Sequence, residues 1–437
     1  MLGWDMGANR DAGLIRVVGT RGLAASTVCV VVGAGIFALP GPLAASIGPY
    51  APIAFLVCAI AIGAIGICFA EACSRIASSG GAYGCIHAAF GPFTGYIAGM
   101  LTWIGNVLAT GGVAAALADV ATDGLAPPLK TPIHALVIII VIGSIAWVNI
   151  GGIARATSLV SWATLLKVTP LIIFVLAGIG AMHTSNFVTG EALHGDGVGR
   201  ALILALYVFT GMETGLCASG EVVNPSRTIP RALALGLAVV TVLFISVQVV
   251  AQGILGAALA QSTVPLADAM SRVSPVLRVL MLAGASISML GYLTADLMGT
   301  PRVLFAFARD GLLPGALGRL RARSSAPHVA IACYALIAIG LAISGTFAEL
   351  AVLATLASAV LYILICAAAW RLAGRGVANA GQPLNFRALP AAVVLGIGSM
   401  LTAIALASQE EILGLLALLA ICVAIYWLQT RVAITQA

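Results

Sequence analysis

The sequence predicts an all-α polytopic membrane protein with twelve transmembrane helices. Hydrophobic residues fill 61% of the 437 positions and charged residues only 8%, where a soluble domain carries roughly 25% charged residues. Apolar runs of roughly 20 residues, the length that spans a bilayer as a helix, recur along the whole chain. The runs are continuous and not alternating, which excludes a β-barrel. No stretch between them is large enough to fold separately, so residues 1–437 read as one transmembrane domain.

The first run covers about 20–47 and is interrupted at Val32-Gly33-Ala34-Gly35-Ile36-Phe37. It is too long for a signal peptide, and Pro40-Gly41 stands where a cleavage site would need small residues. The second covers 50–73. The segment from Ser78 to Pro92 is too polar and glycine-rich to span, and reads as a connector able to form a short interfacial helix. Runs at 92–118, 132–150 and 157–181 complete a first set of five. The sixth, 199–220, is interrupted again at Tyr207-Val208-Phe209-Thr210-Gly211-Met212-Glu213. Runs at 232–257, 275–308, 328–345 and 348–370 complete a second set. The last two, 389–407 and 410–430, are nearly featureless and read as peripheral. The first and sixth runs cross in opposite directions, as an inverted-topology repeat requires.

Orientation follows from the basic residues. With the N-terminus inside, sixteen of the 21 lysines and arginines fall on the cytoplasmic side, among them Arg75, Arg227, Arg309, Arg371 and Arg387. That bias predicts a multi-pass protein of the inner or plasma membrane with both termini cytoplasmic. The net charge of +6 then reflects topology and not nucleic acid. The run Arg319-Leu320-Arg321-Ala322-Arg323 can also touch anionic lipid. The nine cysteines and five histidines form no metal or redox spacing, so no cofactor, metal or disulfide is expected. No His-Glu-x-x-His pattern supports a membrane enzyme, and a channel would favour oligomeric rings over two broken helices in one chain. A homodimer is compatible with the sequence.

The two breaks carry the binding chemistry. Lipid cannot hydrogen-bond to bare backbone, so unwound chain at membrane depth is tolerated only where protein buries it or a cavity lies beside it. Paired broken spans point to a midplane site. At the first break, the N–H groups of Ala34, Gly35 and Ile36 open a half-helix at its positive end, which suits a carboxylate. The carbonyl near Val31, with those around Tyr207 and Thr210, suits an ammonium. Together they form a receptor for an α-amino acid backbone. The competing reading is glycine used for close helix packing.

At these residues the chain resembles the amino acid–polyamine–organocation permeases. The resemblance rests on Gly33-Ala34-Gly35-Ile36-Phe37, Gly80-Gly81-Ala82-Tyr83 with Phe90-Gly91-Pro92, Glu221-Val222-Val223-Asn224-Pro225-Ser226-Arg227-Thr228-Ile229-Pro230-Arg231, and Arg309-Asp310-Gly311-Leu312-Leu313-Pro314. It implies a five-plus-five inverted repeat of the leucine-transporter type with discontinuous helices 1 and 6, plus two further helices. It also implies sodium-independent transport of amino acids or amines, by exchange or proton coupling. Trp103-Ile104-Gly105-Asn106 and the spacing from Tyr207 to Glu213 resemble the arginine/agmatine antiporter branch. By that resemblance Gly35 holds the substrate carboxylate, the Val31, Tyr207 and Thr210 carbonyls hold its ammonium, Tyr207 gates the site in place of a tryptophan, and Asn106 lines the side-chain end. Ala34 replaces a serine and removes one donor. Asn106 reads equally well as an interhelical hydrogen bond.

Three ionisable residues lie at membrane depth: Lys167, Glu213 and Asp296. Each costs roughly 2.5–3.5 kcal/mol at a span centre, so each needs a reason to be there. Glu213 follows the second break and reads as a protonatable switch, or as a strut across it. Lys167 in the fifth run resembles a lysine that projects to the first break, where sodium-coupled relatives hold an ion; it reads as a fixed cation or as part of the proton coupling. Asp296 stands where the antiporter branch has a pocket tryptophan, which suits a cationic side chain. The best substrate class on this reading is a basic amino acid or polyamine, and the alternative is a proton-coupled permease for neutral amino acids. Replacement of Glu213 by Gln is expected to flatten the pH dependence of substrate uptake into liposomes; an unaltered profile excludes the switch.

Overall fold

The computed structural model describes residues 19–76, 81–151, 157–187, 195–211, 225–321, 326–378 and 383–436. Among these residues there is no strand, and helices fall on each of the twelve predicted runs. Seven helical stretches are long and apolar enough to cross a membrane: Pro40–Arg75, Pro92–Ala121, Pro127–Gly151, Arg227–Gln261, Pro275–Arg309, Phe347–Gly374 and Gln409–Gln429. Shorter apolar helices stand at four further runs. The chain is a multi-pass helical membrane protein.

The first run is three pieces, α1 (Thr20–Val31), α2 (Gly35–Ala38) and α3 (Pro40–Ile47). Helix α1 stops because Val32 turns out of helical geometry, with ψ at 72°. The path then continues unbroken from Gly35 to Ile47, since Leu39 between α2 and α3 keeps helical dihedrals. Pro40 sits in the first turn of α3, where its missing N–H has no intrahelical partner to lose. Helix α4 (Ala51–Arg75) follows, and the glycine-rich connector is indeed helical, as α5 (Gly81–Phe90). Gly91, at φ +93°, makes the left-handed corner into α6 (Pro92–Ala121). Helices α7 (Pro127–Gly151), α8 (Thr157–Gly178) and α9 (Gly195–Phe209) lead to the second break, where Gly211 at φ +97° takes the chain out of the helix. Beyond it lie α10 (Pro225–Leu255), α11 (Pro265–Ser271), α12 (Pro275–Gly299), α13 (Pro301–Arg309), α14 (His328–Ser344), α15 (Phe347–Gly374), α16 (Leu389–Ala405) and α17 (Gln409–Gln436).

Helix α6 is the hub, packed by α5, α7, α12, α14 and most closely α15. Small residues permit the approach. A Cβ on Gly112 would touch Phe347 and Leu350 at 3.4 Å, and one on Gly105 would lie 3.6 Å from the Ala354 carbonyl. Such close approach substitutes for the hydrophobic drive that lipid removes. Helix α1 is packed by α10 and α8, and α8 also packs on α12. Helix α16 corrects the expectation of two peripheral last helices, because it packs closely on α15 and α4. There Gly396 meets Cys366 and Ile65, a fit made by small side chains that an apolar run does not advertise.

The tightest glycine contacts predict stability. A Cβ on Gly41 would sit 2.6 Å from the Ser262 backbone oxygen, so Gly41→Ala is expected to cost about 1–3 kcal/mol. Gly143 has nothing within 4 Å of its added Cβ, and Gly143→Ala is expected to gain about 0.5–1 kcal/mol through helix propensity. Unfolding of the two variants in detergent checks both signs.

Candidate functional site

The first break sits deep in the protein. Val32 and Ile36 are fully buried, and Val31, Ala34 and Gly35 are buried as well. Helix geometry leaves the Gly35 and Ile36 N–H groups without an intrahelical acceptor, while the Phe37 N–H reaches back to the Ala34 carbonyl at 3.1 Å. The Gly33 N–H closes a tight turn onto the Val31 carbonyl at 2.7 Å. A further partner comes from across the bundle: the buried Ser288 hydroxyl of α12 donates to the Gly33 carbonyl at 3.3 Å. The sequence reading missed Ser288, because a lone serine in an apolar run carries no signal of its own.

Tyr207 closes over this break. Its ring lies against the Gly35 backbone, so that a Cβ on Gly35 would touch Tyr207 Cε1 at 3.4 Å. The other side of the ring environment is Phe347, whose ring meets Tyr207 edge-on with centroids 5.8 Å apart. The structure therefore brings together Val31, Ala34, Gly35, Ile36 and Tyr207. Thr210 is also near, and it alters the expectation for the Tyr207 carbonyl. Its N–H and its hydroxyl both donate to the Tyr207 carbonyl, at 3.1 and 2.6 Å. A carbonyl has two lone pairs, so the Tyr207 carbonyl is filled and is not open to a substrate ammonium. The Val31 carbonyl accepts the Gly33 N–H.

The predicted side-chain residues Asn106 and Asp296 join one polar network. Asn106 Nδ2 donates to Thr300 Oγ1 at 3.0 Å. Thr300 Oγ1 donates to Asp296 Oδ1 at 2.7 Å. Asp296 Oδ2 accepts from Thr110 Oγ1 at 2.8 Å and from the Tyr334 hydroxyl. The carboxylate thus ties α6, α12 and α14 together through three hydroxyl donors. Thr110, Thr300 and Tyr334 were missed, although Asn106 with Thr110 and Asp296 with Thr300 are two i,i+4 pairs that put polar groups on one helix face each.

Lys167 is buried at 8% exposure on α8, the helix that packs against both α1 and α12. Glu213 lies outside the described residues. Among the described residues no cluster of three or more metal-ligating side chains occurs.

Comparison with known proteins gives this arrangement a context. Residues 18–428 match the family model described as amino acid permease. The chain is 28% identical over 372 residues to the branched-chain amino acid permease BcaP of Lactococcus lactis subsp. cremoris (strain MG1363), covering 79% of this chain and 78% of that protein. It is 30% identical over 372 residues to an uncharacterized transporter of Mycobacterium tuberculosis (strain ATCC 25618 / H37Rv), covering 77% and 76%. It is 26% identical over 369 residues to the methylthioribose transporter of Bacillus subtilis (strain 168), covering 80% of each.

The network predicts a stability pattern. Removing one hydroxyl from a buried carboxylate leaves it under-satisfied, so Thr110→Val and Thr300→Val are each expected to cost about 1–3 kcal/mol. The double variant is expected to cost less than their sum, because both act on one carboxylate. Thermal unfolding of the single and double variants checks this.

Proposed function

The chain belongs to the amino acid permease family, and from that premise we propose that it is a sodium-independent secondary transporter for an amino acid with an uncharged side chain. The observation that supports this most directly is the opened backbone at Val32–Ala34 beneath the Tyr207 ring. On this reading the substrate carboxylate meets the Gly35 and Ile36 N–H groups, with Ala34 offering backbone alone. The ammonium meets the Val31 carbonyl and the Thr210 carbonyl. Tyr207 is the gate. A substrate bound this way is recognised by its backbone, as the free amino and carboxylate groups of an α-amino acid require.

The choice of side chain turns on Asp296. A carboxylate has about four acceptor positions, and three of those on Asp296 face hydroxyl donors of its own protein. That favours Asp296 as a strut between helices over a counter-ion for a cationic substrate. The name of the Lactococcus relative points the same way. The second reading, a basic amino acid or polyamine exchanged as in the arginine/agmatine branch, keeps one observation in its favour: the described hydrogen-bond partners of Asp296 are hydroxyls, and none is a cation. Either way, the Lys167 ammonium supplies a fixed cation beside α1 and α12, which removes the need for sodium. Glu213 is the group that answers to protons. The basic residues orient both termini to the cytoplasm.

Competition for uptake into proteoliposomes separates the two readings. Leucine, isoleucine and valine are expected to compete, and arginine, lysine and agmatine to leave uptake unchanged. Asp296→Asn is expected to retain leucine transport; arginine competing in the wild type and failing in Asp296→Asn would restore the cationic reading. Uptake that needs internal substrate identifies exchange, and uptake driven by a pH gradient alone identifies symport.

A further inference from the structure

A cavity of about 270 Å³ lies among α1, α4, α9 and α10. Thr27 and Val31 of α1, Gly63 and Gly66 of α4, and Phe209 of α9 line it. Val31 sets one end at the first break, and Leu384 with Phe386, in the segment leading to α16, closes the other. The space does not suit a zwitterion. Its lining is apolar apart from Thr27, whose hydroxyl donates to the Leu23 carbonyl at 2.9 Å. The cavity explains why α1 makes its close contacts with α10 and α8 and not with α4. Among the described residues, the half-helix that precedes the break has room along one side.

The closing segment is tied down from α4. The Phe386 N–H donates to Glu71 Oε2 and the Leu384 N–H to Ser74 Oγ, both at 3.0 Å. Arg75 donates from Nη2 to Asn385 Oδ1 at 2.7 Å and from Nη1 to the Val377 carbonyl at 3.1 Å. Its Nε and Nη2 hold Glu71 Oε1 at 2.9 and 2.7 Å. The pair is buried, with side-chain exposures of 5% for Arg75 and 0% for Glu71. The planar guanidinium offers its donors in a fixed fork, so Glu71, Asn385 and Val377 are held in one geometry. Three separate ties thus converge on residues 384–386, whose Leu384 and Phe386 side chains line the end of the cavity, and a fourth holds Val377.

We propose that Glu71 and Arg75 are positioning residues for transport. They latch residues 384–386 as a strap across the end of the void, and the void is the space into which α1 moves as the site opens. This rests on transport by the family fold and not on any particular substrate.

Two variants test it on the full chain in detergent and in proteoliposomes. Gly66→Val extends a side chain into the cavity from a position where an added Cβ meets only Leu233 Cδ1 at 3.9 Å. It is expected to lower the maximal rate of L-leucine uptake about tenfold with KM changed less than about twofold, and to leave the melting temperature equal or higher. Ser74→Ala combined with Asn385→Gly cuts two ties, spares the ion pair and keeps the left-handed backbone that Asn385 adopts at φ +49°. It is expected to speed hydrogen exchange about tenfold at residues 384–386 and also at residues 27–31 of α1. A raised melting temperature with an unchanged maximal rate in Gly66→Val would make the void a packing defect. Faster exchange at 384–386 with none at 27–31 would uncouple the strap from α1. Wild-type uptake of L-leucine is measured first. Its absence counts against the substrate reading alone, and the exchange measurement then decides the strap.

Discussion

Every part of this molecule answers to one constraint: a backbone amide or carbonyl at membrane depth must find a partner within the protein. A continuous helix meets it automatically. At Val32–Ala34 the chain gives up that solution, and the surrounding helices supply others. The Gly33 N–H turns onto Val31, and the Gly33 carbonyl is met by Ser288 from α12. At the second break Thr210 donates twice to the Tyr207 carbonyl. What is left without an intrahelical acceptor is a small set of N–H groups at Gly35 and Ile36. Those are the groups that an anionic ligand can use.

The architecture was written in the chain at the level of hydropathy. The twelve apolar runs, the break before Gly35 and the helical connector at Gly81–Phe90 all follow from composition and from glycine, and the helices fall on them. The stop at Phe209 followed from Thr210-Gly211 in the same way. Tyr207 lying over Gly35 was legible only by resemblance, because no spacing rule links positions so far apart in sequence. The roles of individual polar groups were less legible. Asn106 and Asp296 stood out as polar residues in apolar runs, and both are indeed engaged. Their partners Thr110, Thr300 and Tyr334 could not be read off, since which helix faces meet depends on packing between α6, α12 and α14. The filled carbonyl of Tyr207 was beyond sequence for a similar reason, as it depends on where the Thr210 hydroxyl points. The tight packing of α16 depends on small residues such as Gly396, which hydropathy does not distinguish from lipid-facing ones.

The two polar systems divide the work differently from what charge alone suggests. Asp296 looks in sequence like a counter-ion waiting for a cation. In the fold its oxygens accept from three hydroxyls, Thr110 of α6, Tyr334 of α14 and Thr300 just past the end of α12. Buried polar networks that are fully satisfied specify which helices pack together, and this one fixes α12 against α6 and α14. Ser288 lies two helical turns before Asp296 on the same α12, so the helix held by the network is also the helix that serves the break.

The contact between Tyr207 and Gly35 has a consequence for diversity. The ring rests on a residue that has no side chain, so on that side the fit of the roof is set by backbone alone. A lineage built on this plan can keep one mouth and alter its palate, which suits a set of relatives whose names run from a branched-chain amino acid permease to a methylthioribose transporter.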